Sequence, residues 1–157
     1  ALGMGAGEPG MMKRRPRAHG EAVLTRGHWS AIGGWSLLVG SCVLASLILA
    51  FYLLGFEQHR AVTVSFLTLA FSKLWFIFNL RSPGSRFWQN DIVQNPYVAG
   101  SILLCIPLLL ATVYLPGLST ILKTSPPGWT GWTLLLIMSL VPFAVGQLKR
   151  LFQSRGI

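Results

Sequence analysis

Four long apolar stretches dominate this sequence, and none contains an Asp or Glu. They run from about Trp29 to Leu54, Val62 to Asn79, Pro96 to Tyr114 and Trp129 to Gln147. Each is close to the roughly 20 residues that a helix needs to cross a bilayer. A backbone in lipid must satisfy its own N–H and C=O groups, which leaves only helices or a closed barrel. None of the four alternates with period two over any length, so helices are expected. The expected fold is an all-α membrane protein, a bundle of four transmembrane helices. Composition agrees: charged residues are 11% of the chain and hydrophobic residues 52%, whereas a water-soluble domain carries about 25% charged residues.

Turn chemistry separates the four runs. Gly55–Arg60 reads as a short turn carrying Glu57 and His59. Arg81-Ser82-Pro83-Gly84-Ser85-Arg86 breaks the chain after the second span. Asn95-Pro96 places a capping residue before a proline at the first helical position. Pro116-Gly117 ends the third span, and Pro126-Pro127-Gly128 precedes the fourth. Pro107 and Pro142 fall inside spans and should bend them. The expected organisation is a basic arm over residues 1–28, a membrane domain over 29–151 and a tail over 152–157. The chain begins with Ala and has no apolar leader in its first 28 residues, which reads as a fragment or a processed product.

The net charge is +9. Lys13, Arg14, Arg15, Arg17 and Arg26 lie in the arm, Arg81 and Arg86 in the middle loop, and Lys149, Arg150 and Arg155 in the tail. Only Arg60 and Lys123 lie in the other two connectors. The positive-inside rule therefore places both termini in the cytoplasm of a multi-pass protein of the cell membrane. Trp29, Tyr114, Trp129 and Trp132 sit near span ends, where aromatic belts form. Charge of this kind flanks a membrane, and no nucleic-acid partner is expected.

Lys73 is the exception, a cation within the second apolar run. An ammonium at membrane depth is costly unless it is paired. It either snorkels to headgroups, loses its proton, or pairs with an anion on protein outside this chain. Snorkelling is disfavoured by geometry. Helical side chains lean toward the helix N-terminus, here the outer end, and Lys73 is about 9 Å of helix from Asn79. The same helix carries a polar stripe of Ser65, Thr68, Ser72 and Asn79. At about 100° per residue these fall within a sector of roughly 60° that should face protein. Lys73 lies about 110° from its middle. On the first span, Ser30 and Gly34, Ser36 and Gly40, and Cys42, Ser46 and Ala50 recur at spacing four, a pattern that allows close helix packing.

Other chemistry is sparse. Cys42 and Cys105 both fall within spans and read as packing residues. His19, His28 and His59 read as surface loop residues, and Glu57 and Asp91 do not form a carboxylate pair. No phosphate-binding loop, nucleophile set or metal-ligand cluster occurs, so no catalytic or metal-binding residue is assigned and no cofactor is expected on this chain.

Several motifs in order resemble one family. Ala1-Leu2-Gly3, Glu8-Pro9 and Met12-Lys13-Arg14-Arg15-Pro16-Arg17 resemble the cytoplasmic loop after the sixth helix of P-type cation-transporting ATPases. Val62-Thr63-Val64-Ser65-Phe66-Leu67-Thr68-Leu69, Trp75 and Phe78-Asn79-Leu80-Arg81-Ser82 are similar to their eighth helix. Asn95-Pro96-Tyr97, Tyr114-Leu115-Pro116 and Leu148-Lys149 fit as well. The resemblance implies that the four spans are the seventh to tenth helices. It implies a module that braces the ion-translocating helices, without the Asp-Lys-Thr-Gly phosphorylation motif. ATP and Mg2+ would be needed only by the full-length family, an ATP-driven translocase; this chain alone would not be an enzyme. The partners implied are the lipid bilayer, the remaining helices and the cytoplasmic domains. By the same resemblance, Lys73 falls about where calcium-pump relatives place an ion-coordinating glutamate. A lysine there would act as a built-in counter-charge beside the cation path. Two other readings stand beside this one: a free-standing accessory membrane subunit, and a small oligomeric transporter.

Overall fold

The computed structural model describes residues 26–78 and 96–154. The described residues form five helices and one π-turn: α1 (Arg26–Ile48), a π-turn (Leu49–Leu53), α2 (Gln58–Ile77), α3 (Pro96–Tyr114), α4 (Pro116–Leu122) and α5 (Gly128–Ser154). The described residues contain no strand. Four helical segments are long and apolar enough to span a membrane: Gly27–Leu53, Gln58–Ile77, Pro96–Tyr114 and Gly128–Lys149. The basic arm through Thr25, Asn79, and the loop bearing Arg81, Arg86, Asp91 and Asn95 lie outside the described residues.

α2 is the centre of the bundle. It packs most extensively against α5 and α1, and α1 also meets α5. α3 touches α2 only lightly and is continued by α4. The buried core joins Ala50, Ala61, Val64, Leu67, Phe71, Val113 and Leu135. α2 is the least apolar of the four spans and the most enclosed, with 44% of its apolar stretch buried against 11% for α3. Lipid explains that ranking. Hydroxyl-bearing positions are poorly accommodated by hydrocarbon and move to the protein side, while an apolar helix such as α3 can face acyl chains.

One end of the bundle is tied by side chains. Arg60 donates from Nε and Nη2 to the Pro127 carbonyl, at 3.2 and 2.8 Å, and its guanidinium lies 4.2 Å from the Phe56 ring centre. The Thr63 hydroxyl donates to the His59 carbonyl at 2.8 Å and accepts from the Ser125 N–H at 3.0 Å. Gly128, at φ +67, leaves the space that the Arg60 side chain fills. A β-carbon at Gly131 would meet the Pro127 Cβ at 2.6 Å.

Local structure departs from expectation at several points. His28 and His59 are not loop residues; they occupy the first turns of α1 and α2. α2 begins at Gln58, so Glu57 is its cap and Arg60 is helical rather than part of a turn. Pro116 does not simply end a span. It opens α4, a seven-residue helix entered from an extended Leu115 (ψ 116) and closed by Lys123 at φ 52. Proline at a first turn has no N–H to lose there, so it starts a helix as readily as it stops one. α5 runs to Ser154, so its last turn takes in the first residues of the expected tail from residue 152.

Candidate functional site

α2 presents two unlike faces. Ala61, Thr63, Val64, Ser65, Leu67, Thr68, Phe71 and Ser72 are all buried, an arc of roughly 200° at about 100° per residue. The opposite ridge is Val62, Phe66, Leu69 and Lys73, all exposed in this chain, within a sector of roughly 60°. Its three hydrophobic members expose 50%, 42% and 41% of their surfaces.

The polar stripe lies on the enclosed side. Thr68 and Ser72 are fully or almost fully buried, and Ser65 nearly so. Each hydroxyl donates to a carbonyl of its own helix: Ser65 to Val62 at 2.9 Å, Thr68 to Val64 at 2.8 Å and Ser72 to Thr68 at 2.7 Å. The protons are thereby committed, and the oxygens retain only acceptor capacity. The fourth member, Asn79, falls outside the described residues.

Lys73 stands on the exposed ridge, not in the core of the bundle. Glu57 is the one carboxylate side chain among the described residues, and it lies about 24 Å along α2 from Lys73 at 1.5 Å per residue. No anion on the described residues can neutralise the ammonium at that separation. The ridge therefore combines three apolar side chains with one cation on a single face, and no described helix lies over it.

The small residues of α1 divide into two groups. Cys42, Ser46 and Ala50 are buried, and the Ser46 hydroxyl donates to the Val43 carbonyl at 2.7 Å. Ser36 and Gly40 are exposed, and nothing lies within 4 Å of a β-carbon built at Gly40. Packing within the described bundle thus uses the second half of the first span.

Sequence reasoning missed the clamp of Arg60 on Pro127 and the polar cleft beside α4. The available signal for the clamp was an arginine one turn into an apolar helix, facing a Pro-Pro-Gly connector. The partner, 67 positions away, was not visible in any local pattern.

The α2 ridge thus joins apolar side chains to a cation, with no carboxylate in reach among the described residues. The family described as cation transporting ATPase, C-terminus, matches residues 1–152. The chain belongs to that family. A calcium-transporting ATPase of Bacillus subtilis is 32% identical over 142 residues, covering 90% of this chain and 16% of the relative. A calcium-transporting ATPase of Listeria monocytogenes is 28% identical over 156 residues, covering 99% of this chain and 17% of the relative. A third, from Bacillus cereus, is 26% identical over 166 residues. The chain thus spans about a sixth of the length of these curated relatives. Membership in this family and four span-length helices make it a membrane-embedded module of a cation-transporting P-type ATPase.

Proposed function

We propose that this module braces the ion-translocating helices of an ATP-driven cation pump and contributes Lys73 as a fixed positive charge beside the cation path. The observation that carries the reading is the exposed α2 ridge of Val62, Phe66, Leu69 and Lys73. An ammonium at span depth is costly unless it is paired, and the described residues offer no anion within reach. Carboxylates on neighbouring pump helices would meet the ammonium when those helices cover the ridge. A lysine cannot coordinate a cation; it occupies the place of a bound positive charge and lowers the number of cations those carboxylates hold.

The proposed topology has both termini in the cytoplasm of a cell-membrane protein, with residues 1–28 as an arm, 29–151 as the membrane domain and 152–157 as a tail. It rests on ten Lys and Arg flanking one side against two on the other. ATP and Mg2+ would act on the preceding domains of the pump. Calcium is the cation proposed, because the relatives are calcium-transporting ATPases. The purified chain hydrolyses no ATP on this reading.

The test is Lys73→Gln in a complete pump, with bound and transported cation counted per ATP. The expected result is a changed stoichiometry or cation affinity. Unaltered transport with an unaltered ratio removes Lys73 from the ion path and leaves the bracing role alone.

A further inference from the structure

The end of the bundle that carries the Arg60 clamp also holds a polar cleft of about 400 Å3, lined by His59, Ser119, Thr120, Lys123, Thr124 and Ser125. Its two ionisable groups, His59 and Lys123, are both bases, and no carboxylate lines it. Most of its hydroxyl protons are already committed. Ser119 and Thr120 donate to the Pro116 carbonyl at 3.3 and 2.6 Å, and Thr124 donates to the Thr112 carbonyl. The Ser125 backbone N–H is engaged by Thr63. The donors left for a ligand are the Lys123 ammonium, the His59 ring and the Ser125 hydroxyl. A cleft with spare N–H and O–H donors and no anion of its own selects an anionic oxygen ligand.

A second, independent observation concerns Lys123 itself. Its φ of 52 is the one positive value for a non-glycine among the described residues. The residue closes α4, with its N–H bonded to the Ser119 carbonyl. Glycine or asparagine is the ordinary choice at such a position. A lysine held there against backbone preference is a reason to look for a role of its side chain.

The surroundings identify the kind of anion. Tyr114, Ile121 and Leu122 flank the cleft with 56%, 78% and 49% of their surfaces exposed. Tyr114 ends the span-length α3, and Ile121 and Leu122 close the short α4 that follows it; with α3 across a bilayer, this end would stand where headgroups give way to acyl chains. We propose that this cleft binds the phosphate of an anionic phospholipid, held by Lys123, His59 and Ser125, with the acyl chains against Ile121 and Leu122. The site rests on placement of the helices in a bilayer and is independent of any role for Lys73. Its failure and the failure of the counter-charge reading are therefore separate results.

The experiment uses the full chain, 15N-labelled, in phosphatidylcholine bicelles with rising phosphatidylglycerol. The amides of Lys123, Thr124 and Ser125 are expected to shift and saturate. Lys123→Gly and Lys123→Asn both accept a positive φ and remove the ammonium. Each should raise the titration midpoint about fivefold, as loss of one exposed ion pair implies, without lowering the thermal unfolding midpoint. Inorganic phosphate in phosphatidylcholine alone should leave the three amides unmoved. The proposal is overturned if these amides do not saturate with phosphatidylglycerol, or if both variants titrate like the parent chain. Saturation by inorganic phosphate in place of lipid also overturns it, because the occupant is then a free anion.

Discussion

Replacing Gly131 with alanine sets two opposing effects against each other in one methyl group. In a helix interior alanine is favoured over glycine by about 1 kcal/mol. At this position the new β-carbon would lie 2.6 Å from the Pro127 Cβ, and 3.3 Å from both Phe56 Cε2 and Val64 Cγ2. The first contact is far inside van der Waals range, and it is made to a ring carbon that cannot rotate away. Pro127 is also held by the Arg60 hydrogen bonds to its carbonyl, so the connector cannot yield without breaking them. Overpacking of this kind typically costs about 1–3 kcal/mol. The clash therefore offsets or exceeds the propensity gain, and Gly131→Ala should destabilise the chain by up to about 2 kcal/mol net. For a protein of this size that is a fall of up to roughly 8 °C in unfolding midpoint. Unfolding can be followed in detergent by a thiol-reactive dye, since Cys42 is only 7% exposed in the fold. Gly40→Ala is the control, because nothing lies within 4 Å of its β-carbon; it should be neutral or raise the midpoint. An increase at position 131 matching that at position 40 would refute the argument from close approach.

The same Gly40→Ala variant should lower the stability or assembly of a complete pump if the exposed half of α1, with Ser36, packs on other pump helices; pulldown of the variant module with the remaining pump would show it. Arg60→Ala should cost about 1–2 kcal/mol by leaving the Pro127 carbonyl unpaired. Arg60→Lys should recover less than half of that, since an ammonium cannot reproduce the two-pronged guanidinium contact; unfolding midpoints of both variants check the ranking. Thr63→Val should cost about 1–2 kcal/mol, because it strands the Ser125 N–H, while Thr63→Ser should stay near the parent value. Leu135→Ala, at a fully buried core position, should lower stability by about 2–4 kcal/mol through an unfilled cavity, measured by the same dye assay.

The spans were legible because the bilayer imposes length and composition on each segment separately. The sequence expectation of 96–114 coincides with α3, and that of 62–79 differs from α2 mainly at the start, where Gln58, His59 and Arg60 are helical despite being polar. The two faces of α2 were legible too, since about 100° per residue fixes which side chains share a side. What covers each face was not. Lys73 could be placed about 110° from the polar stripe by counting, but its exposure depends on where α1 and α5 settle, and no local signal encodes that. α4 escaped notice because seven residues opening on Pro116 look like punctuation. The cleft is assembled from His59 and residues 119–125, two stretches whose proximity exists only after the helices pack.

The π-turn at Leu49–Leu53 closes the first span and aims the chain into the connector that leads to α2. Leu54 N–H bonds to the Leu49 carbonyl at 3.1 Å, and Phe56 N–H reaches back to Ala50 at 3.0 Å. Widening a ladder this way accommodates one surplus residue, and removing it would turn the adjoining segment by about 100°. Phe56 would then swing off Gly131, and Arg60 would lose the ring beneath it. Lineages of this module should thus tolerate insertions and deletions in their loops far more readily than a change of one in the length of that wide coil.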